Sequence, residues 1–376
     1  EITCNACGYP SSIGVEHPPF QMQVVCPNCG ALNPVTDEDI RPGKTADVQV
    51  RDFAQQPPRR WELVAFREPG DSNRVALKRV VGLPGEHIAI RGGELYVNGE
   101  LLRKSHEEYE LTNLPVYWPV RAGFDRWVPE TASSRWVVTD DFVQFFDWEP
   151  GQESEAKFDW LAYRHHRATA FADQPQATSR IPDDYEYNQG LARGLNYVHD
   201  VSFTPFVKIR DGGELRLRLF DGDQPLYVEL RPNDNTVSLF RGDQLLIEAP
   251  SSTPLAQSEI YPVEVTFVDG QVFVSIDGEL TLNDTLPQGE NYSGENLSLA
   301  IGSRGRAATI SEPAILRDIY YLNPQGRADN WEMESPLGDV EYFLLGDNAP
   351  ISIDSRHYGA IKLSEIVGGV EPRDEE

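Results

Sequence analysis

Apolar and polar residues alternate with a period of two through much of the second half of this chain. Leu215, Leu217 and Leu219 are separated by Arg216 and Arg218, and Val263, Val265 and Phe267 by Glu264 and Thr266; Val272, Val274 and Ile276 follow. Successive side chains of a strand point to opposite faces, so this spacing predicts half-buried strands. Asp269-Gly270 and Asp277-Gly278 separate them, and such dipeptides favour two-residue hairpin turns. Short strands with regular turn signals predict a β-sandwich, closed by the run Leu316-Arg317-Asp318-Ile319-Tyr320-Tyr321. Asp221, Asp223, Asp234 and Asp243 fit turns better than calcium sites.

Two further apolar runs carry candidate chemistry. Val75 to Val81 is rich in β-branched residues and ends at Gly82 and Pro84, which predicts a strand and a turn. Ala76, Lys78 and Val80 share one face of that strand. Burial between apolar neighbours disfavours the ammonium form, which is how a lysine becomes a general base near neutral pH. The alternative is a solvated Lys78-Arg79 pair on an edge strand. Val340 to Leu345 predicts a second strand, and Gly346-Asp347-Asn348 a turn directly after it. Beyond the turn Ser352, Asp354 and Arg356 fall at steps of two, so an extended chain puts them on one face. A serine beside a buried lysine can orient the amine, and an Asp and Arg two apart can pair. Ahead of both runs Val48 and Val50 alternate with polar residues and Trp61 to Phe66 predicts a strand, and between the runs Asn98-Gly99 predicts a hairpin joining Glu94–Val97 to Glu100–Leu102.

Composition narrows the function. The 376 residues suffice for two or three domains. A formal net charge of −27 argues against nucleic-acid binding, which wants a basic surface. No run of eighteen apolar residues occurs, so nothing in this chain is expected to span a bilayer as a helix, and any membrane anchor would lie outside it. All four cysteines lie near the start, as Cys4-x2-Cys7 and Cys26-x2-Cys29, each pair followed by a glycine. Two such knuckles make a zinc-ribbon spacing, with two disulfides as the alternative that an exoplasmic location would favour. Four cysteine ligands leave no open position, so a zinc ion here would be structural. Tyr117, Trp118, Trp127, Trp136, Trp148, Trp160, Tyr163, Tyr185 and Tyr187 are read mainly as core, although such rings also stack on sugars or peptides. His165-His166 lacks the partner spacing of a metal site and is given no role.

The segment Lys78 to Glu86, the hairpin Gly92 to Gly99, and the later Gly346-Asp347-Asn348, Ser352, Asp354-Ser355-Arg356 and Gly359 together resemble the motifs of bacterial type I signal peptidase, a membrane-bound Ser/Lys serine protease. The likeness covers about residues 42–104 and 333–376, and the cysteine pairs resemble zinc-ribbon-bearing variants of that family. It implies an all-β catalytic domain, Lys78 as general base, Ser352 holding its amine, and Asp347, Asn348 and an Asp354–Arg356 ion pair supporting the site. Signal peptides of exported preproteins are the implied substrates, and the exoplasmic side of the bacterial inner membrane the implied location. No catalytic cofactor is implied. Two departures stand out. Ala349-Pro350-Ile351 replaces the family's polar, Arg-containing spacer, and the family's Ser-Met-x-Pro nucleophile segment is missing, since Met22 and Met333 do not follow a serine. The nucleophile and anchor are therefore expected upstream of Glu1, with Ser11 or Ser12 as poor substitutes.

The expected fold class is mainly β, divided into a zinc ribbon (1–41), a catalytic β domain in two parts (42–104 and 333–376) and an inserted sandwich (105–332). The sandwich's texture resembles laminin-G and concanavalin-like jelly rolls. The competing function is a catalytically incomplete relative that acts as a binding module through the sandwich. A self-cleaving Ser/Lys repressor ranks behind both, because it would need to bind DNA.

Overall fold

The computed structural model describes residues 2–14, 22–36, 47–50, 53, 55–118, 126–139, 142–146, 157–167, 177–178, 180–210, 212–256, 259–286 and 299–371. Trp148 lies outside them. The chain is mainly β and forms two compact units, Glu1–Ile40 with Leu114–Asp318, and Arg41–Asn113 with Ile319–Glu376.

The second unit is built on a six-stranded sheet in the order Ile361–Lys362, Glu341–Leu345, Asp71–Gly82, Leu63–Glu68, Ile366–Glu371 and Asp47–Gln49. Its core joins Val64, Phe66, Val80, Tyr342, Leu344, Ile361 and Ile366, with Ala76 packed against them. Ala76 and Val80 thus bury the face that Lys78 shares. A four-stranded sheet holds the hairpin Glu94–Val97 to Glu100–Leu101, where Asn98 and Gly99 have φ of 52° and 88°. Both values are positive, as a two-residue turn between twisted strands requires. The strand expected from Trp61 starts instead at Leu63. Trp61 has φ of 66°, and its carbonyl accepts from the Arg79 side chain rather than from a backbone N–H of the neighbouring strand.

The first unit contains the sandwich. One sheet runs Trp136–Val138, Val143–Phe145, Ala308–Arg317, Val201–Ile209, Tyr261–Val268, Gln271–Ile276, Glu279–Thr285, with Leu114–Tyr117 also paired to Ala308–Arg317. The other runs Trp127–Pro129, Asp159–Tyr163, Ala300–Gly305, Gly213–Phe220, Pro225–Arg231, Thr236–Arg241, Gln244–Pro250. Leu215, Leu217, Val263, Val265, Val272 and Val274 all enter one apolar core, as the alternation predicts. Asp269-Gly270 and Asp277-Gly278 have positive φ at both residues and close the expected hairpins. Asp221 Oδ1 accepts from the backbone N–H groups of Asp223 and Gln224, a turn role. Tyr117, Trp127, Trp136 and Tyr163 fill the core.

The two cysteine knuckles sit in short hairpins, Ile2–Thr3 with Pro10–Ser11 and Gln23–Val25 with Leu32–Pro34. Gly8 and Gly30 donate to the carbonyls of Cys4 and Cys26 at 2.8 Å, with φ of 75° and 77°. A β-carbon would be strained there, so glycine is what each knuckle needs. The second hairpin is tied to the sandwich side of this unit. The Gln189 amide brackets Val25, accepting from its N–H at 2.9 Å and donating to its carbonyl at 2.8 Å. Buried Arg126 donates to the Pro27 carbonyl, and Asn28 Oδ1 accepts from Trp118 N–H.

Candidate active site

The site is assembled by the neighbouring strands Asp71–Gly82 and Glu341–Leu345, which pair Leu344 with Val80 and Leu345 with Arg79. That register brings the lysine strand beside the Gly346-Asp347-Asn348 turn. A β-carbon built on Gly346 would overlap Ser352 Oγ and stand 3.1 Å from Lys78 Nζ. The amine and the hydroxyl therefore both approach the space that the missing side chain of Gly346 leaves open. Ser352 Oγ is buried and has no hydrogen-bond partner among the described residues.

Burial is the largest influence on the Lys78 amine and lowers its pKa from the ordinary lysine value. The carboxylates of Asp354, Glu68 and Asp347 oppose that shift, and the Arg356 guanidinium reinforces it. The net direction is down, so the neutral amine is favoured relative to an exposed lysine.

Asp354 and Arg356 form a bidentate pair with both N···O distances at 2.7 Å, and their side chains are 0% and 1% exposed. Arg356 also donates to the carbonyls of Leu322 (2.7 Å), Ala349 and Ser352 (both 3.2 Å). Asp354 accepts from Gly346 N–H at 3.1 Å. One guanidinium and one carboxylate thus satisfy backbone groups of four residues, Leu322, Gly346, Ala349 and Ser352, which a buried pair needs in order to offset its desolvation. The extended chain expected from Ser352 to Arg356 is not formed. Ser355–Tyr358 is a helical turn capped by Asp354, whose side chain accepts from Arg356 N–H. The cap and the ion pair share one carboxylate, so helix geometry replaces strand alternation here.

Asp347 has a partner that sequence reading missed. Arg79 donates to it from Nε (2.9 Å) and Nη2 (2.6 Å), and from Nη1 to the Trp61 carbonyl (2.7 Å). The residue after Lys78 is therefore a clamp on the turn that faces it. The Leu83-Pro84-Gly85-Glu86 turn is pinned in turn by Glu86, which accepts from Leu83 N–H and pairs with Arg60. The Asn348 carbonyl accepts from Ser352 N–H at 3.1 Å, so Asn348 fixes the start of the serine segment.

A second chemical cluster is formed by Cys4, Cys7, Cys26 and Cys29, whose sulfurs all lie within 4.8 Å of one another. The Cys4–Cys29 and Cys7–Cys26 separations are 3.6 and 3.7 Å, and all four thiols are free. A disulfide would bring sulfurs to about 2.05 Å. Tetrahedral zinc at about 2.3 Å from each sulfur sets them about 3.8 Å apart, so the donor set fits that ion. Asn28 Nδ2 and Asn33 Nδ2 donate to Cys7 and Cys4 sulfurs. Burial raises Cys7 to about 11, and its hydrogen bond with Cys26 holds Cys29 at about 5. Ser11 and Ser12 belong to this same unit, not to that of Lys78. Among the described residues no helix is long and apolar enough to cross a membrane.

Comparison with known proteins adds the family. Several solved β-sandwich structures align with this chain at low similarity. The carbohydrate-binding module CBM66 from Bacillus subtilis is 11% identical, with TM-score 0.32, over 50% of this chain and 94% of its own. A galectin, LEC-6 of Caenorhabditis elegans, is 13% identical with TM-score 0.23, over 32% and 82%. A curated signal peptidase I of Leptolyngbya laminosa is 33% identical over 98 residues, which are 24% of this chain and 40% of that relative. The family model described as signal peptidase, peptidase S26, matches residues 36–135 and 268–373. That is more than half of the chain, and the chain belongs to this family.

Proposed function

We propose that this chain carries the general-base half of a signal peptidase I-like serine endopeptidase. The observation that supports it is the convergence of a desolvated Lys78 amine and the Ser352 hydroxyl on Gly346. In this reading Ser352 orients the amine, Asp354 with Arg356 supports the serine segment, and Asp347 with Asn348 holds the turn. The attacking serine comes from a Ser-Met-x-Pro segment, a motif absent from these 376 residues and expected before Glu1. Neutral Lys78 takes that hydroxyl's proton as the oxygen attacks the scissile carbonyl. The ammonium returns the proton to the leaving amine, and water then releases the acyl group. Exported preproteins are the substrates, their cleavage region extended along a strand edge. The site works on the exoplasmic side of the bacterial inner membrane, held there by an anchor outside this chain. The ribbon (1–41) and sandwich (105–332) are additions to a peptidase body at 42–104 and 333–376. The four cysteines hold one structural zinc.

The test is cleavage of a preprotein by the protein with its upstream serine segment present, comparing Lys78→Ala. Loss of cleavage with an unchanged circular dichroism spectrum is expected, and full activity in Lys78→Ala would remove the assignment. A second reading, a binding module working through the sandwich, is favoured by the ion-paired arginines set among aromatic rings on that sandwich. Absence of any Lys78-dependent cleavage would favour it.

A further inference from the structure

Four arginines stand on the outer face of the seven-stranded sheet, opposite the apolar core. Arg216 and Arg218 lie on Gly213–Phe220, Arg231 on Pro225–Arg231 and Arg304 on Ala300–Gly305. Each has a carboxylate partner. Arg216 Nε donates to Glu229 Oε2 and Arg304 Nε to Glu214 Oε2, both at 2.7 Å, while Arg218 pairs with Glu130 and Arg231 with Glu248. Aromatic rings fill the spaces between them. The Arg216 guanidinium lies 4.4 Å from the Phe158 ring centroid and 5.0 Å from that of Phe240, and Arg218 lies 4.8 Å from Trp160.

Trp160 lies outside the apolar core that takes Trp127 and Trp136. Its register partner is Gly302, and a β-carbon on Gly302 would come within 2.8 Å of the indole. The ring is therefore laid across the glycine along the sheet, reaching Tyr227 at 5.7 Å between centroids. The plate crosses five adjacent strands, from Asp159–Tyr163 to Thr236–Arg241, roughly 19 Å at a strand spacing of about 4.8 Å. Solubility alone would be met by scattered mobile charges, whereas holding long side chains in fixed pairs costs side-chain entropy.

Paired guanidinium and carboxylate planes offer donors and acceptors side by side, and a sugar hydroxyl both donates and accepts. The C–H face of a sugar ring fits against an aromatic ring. Other occupants fit worse. A polyanion would meet four carboxylates in a chain of formal net charge −27. An apolar peptide would cover the part-exposed Arg304–Glu214 and Arg231–Glu248 pairs without answering their remaining hydrogen-bonding groups. We propose that this face binds a neutral, hydroxyl-rich sugar chain, with Trp160 as the stacking platform and the part-exposed Arg304–Glu214 pair reading hydroxyls. The proposal concerns the sandwich unit alone and stands or falls independently of Lys78.

The test is affinity electrophoresis of the chain through gels holding, in turn, a β-1,3-glucan, a β-1,4-glucan, a mannan and a fructan. At least one polysaccharide is expected to retard the chain, with apparent affinity falling tenfold or more in Trp160→Ala and in Arg304→Gln. Retardation by none of the four, or equal retardation of the parent and both variants, overturns the proposal. Retardation only by dextran sulfate or by an unfolded carboxymethylated protein overturns it as well. The unaltered chain gives a second reading that does not depend on a variant folding. The retarding polysaccharide is expected to protect Trp160 from N-bromosuccinimide, read by peptide mass, and an unchanged rate of Trp160 oxidation overturns the proposal.

Discussion

Replacing Arg356 by Met removes the most connected side chain of the candidate site while roughly keeping its volume. Arg356→Met leaves the Asp354 carboxylate buried without its cation, and frees the carbonyls of Leu322, Ala349 and Ser352 from their donor. Both partners are almost completely buried, so solvent cannot replace the lost contacts. Breaking a buried pair by removing one member costs about 3–5 kcal/mol. That is a large part of the ~5–15 kcal/mol holding a typical domain together. At about 3–5 °C per kcal/mol for a unit of this size, the melting temperature falls by roughly 10–20 °C. Differential scanning calorimetry of the parent and Arg356→Met reads this directly. A shift under about 3 °C would refute the view that this pair supports the turn.

Three further expectations follow from the same geometry. Gly346→Ala forces Ser352 Oγ and Lys78 Nζ apart, and a displacement near 1 Å at a reacting group lowers turnover on the order of 100-fold; steady-state cleavage assays would expose the error if turnover were unchanged. The depressed Lys78 pKa means the unfolded chain binds the extra proton between the folded and unfolded values, so stability rises with pH across that window, up to about 10.4. Lys78→Met should flatten that slope and stabilise the unit at pH 7, as denaturant titrations at two pH values would show; an unaltered slope would contradict the burial argument. Purified chain should carry one zinc released by a chelator, with four thiols titrating after denaturation. Metal analysis finding none, together with two disulfides by mass, would exclude the metal ribbon.

How much could be read from sequence depended on the range of the interaction. Asn98-Gly99, Asp269-Gly270 and Asp277-Gly278 needed only local backbone physics, and each forms its turn. The inward set Leu215, Leu217 and Leu219 was equally legible, because a strand's period of two fixes which side chains share a face. The outward set was not. Arg216 and Arg218 carry no local mark of a partner, and only the strand order shows them facing Glu229, Glu130 and aromatic rings. Arg79 illustrates the same limit at the candidate site. Its partner Asp347 is 268 residues away, and no local pattern marks a pair that forms only when two strands meet. Arg356 departed from its expected strand geometry because Asp354 caps a helical turn, a choice set by the carboxylate's two roles. Gln189 and Arg126, which tie the cysteine hairpin to its unit, carry no sequence signature of that work.

Burial keeps the Lys78 amine neutral more readily than that of an exposed lysine. Nitrogen-15 NMR titration of the side-chain amines, with Lys78→Arg to identify the signal, measures this without requiring catalysis. One lysine resonance is expected to titrate below the rest and to disappear in the variant. A Lys78 signal that titrates with the others at about 10.4 would contradict it.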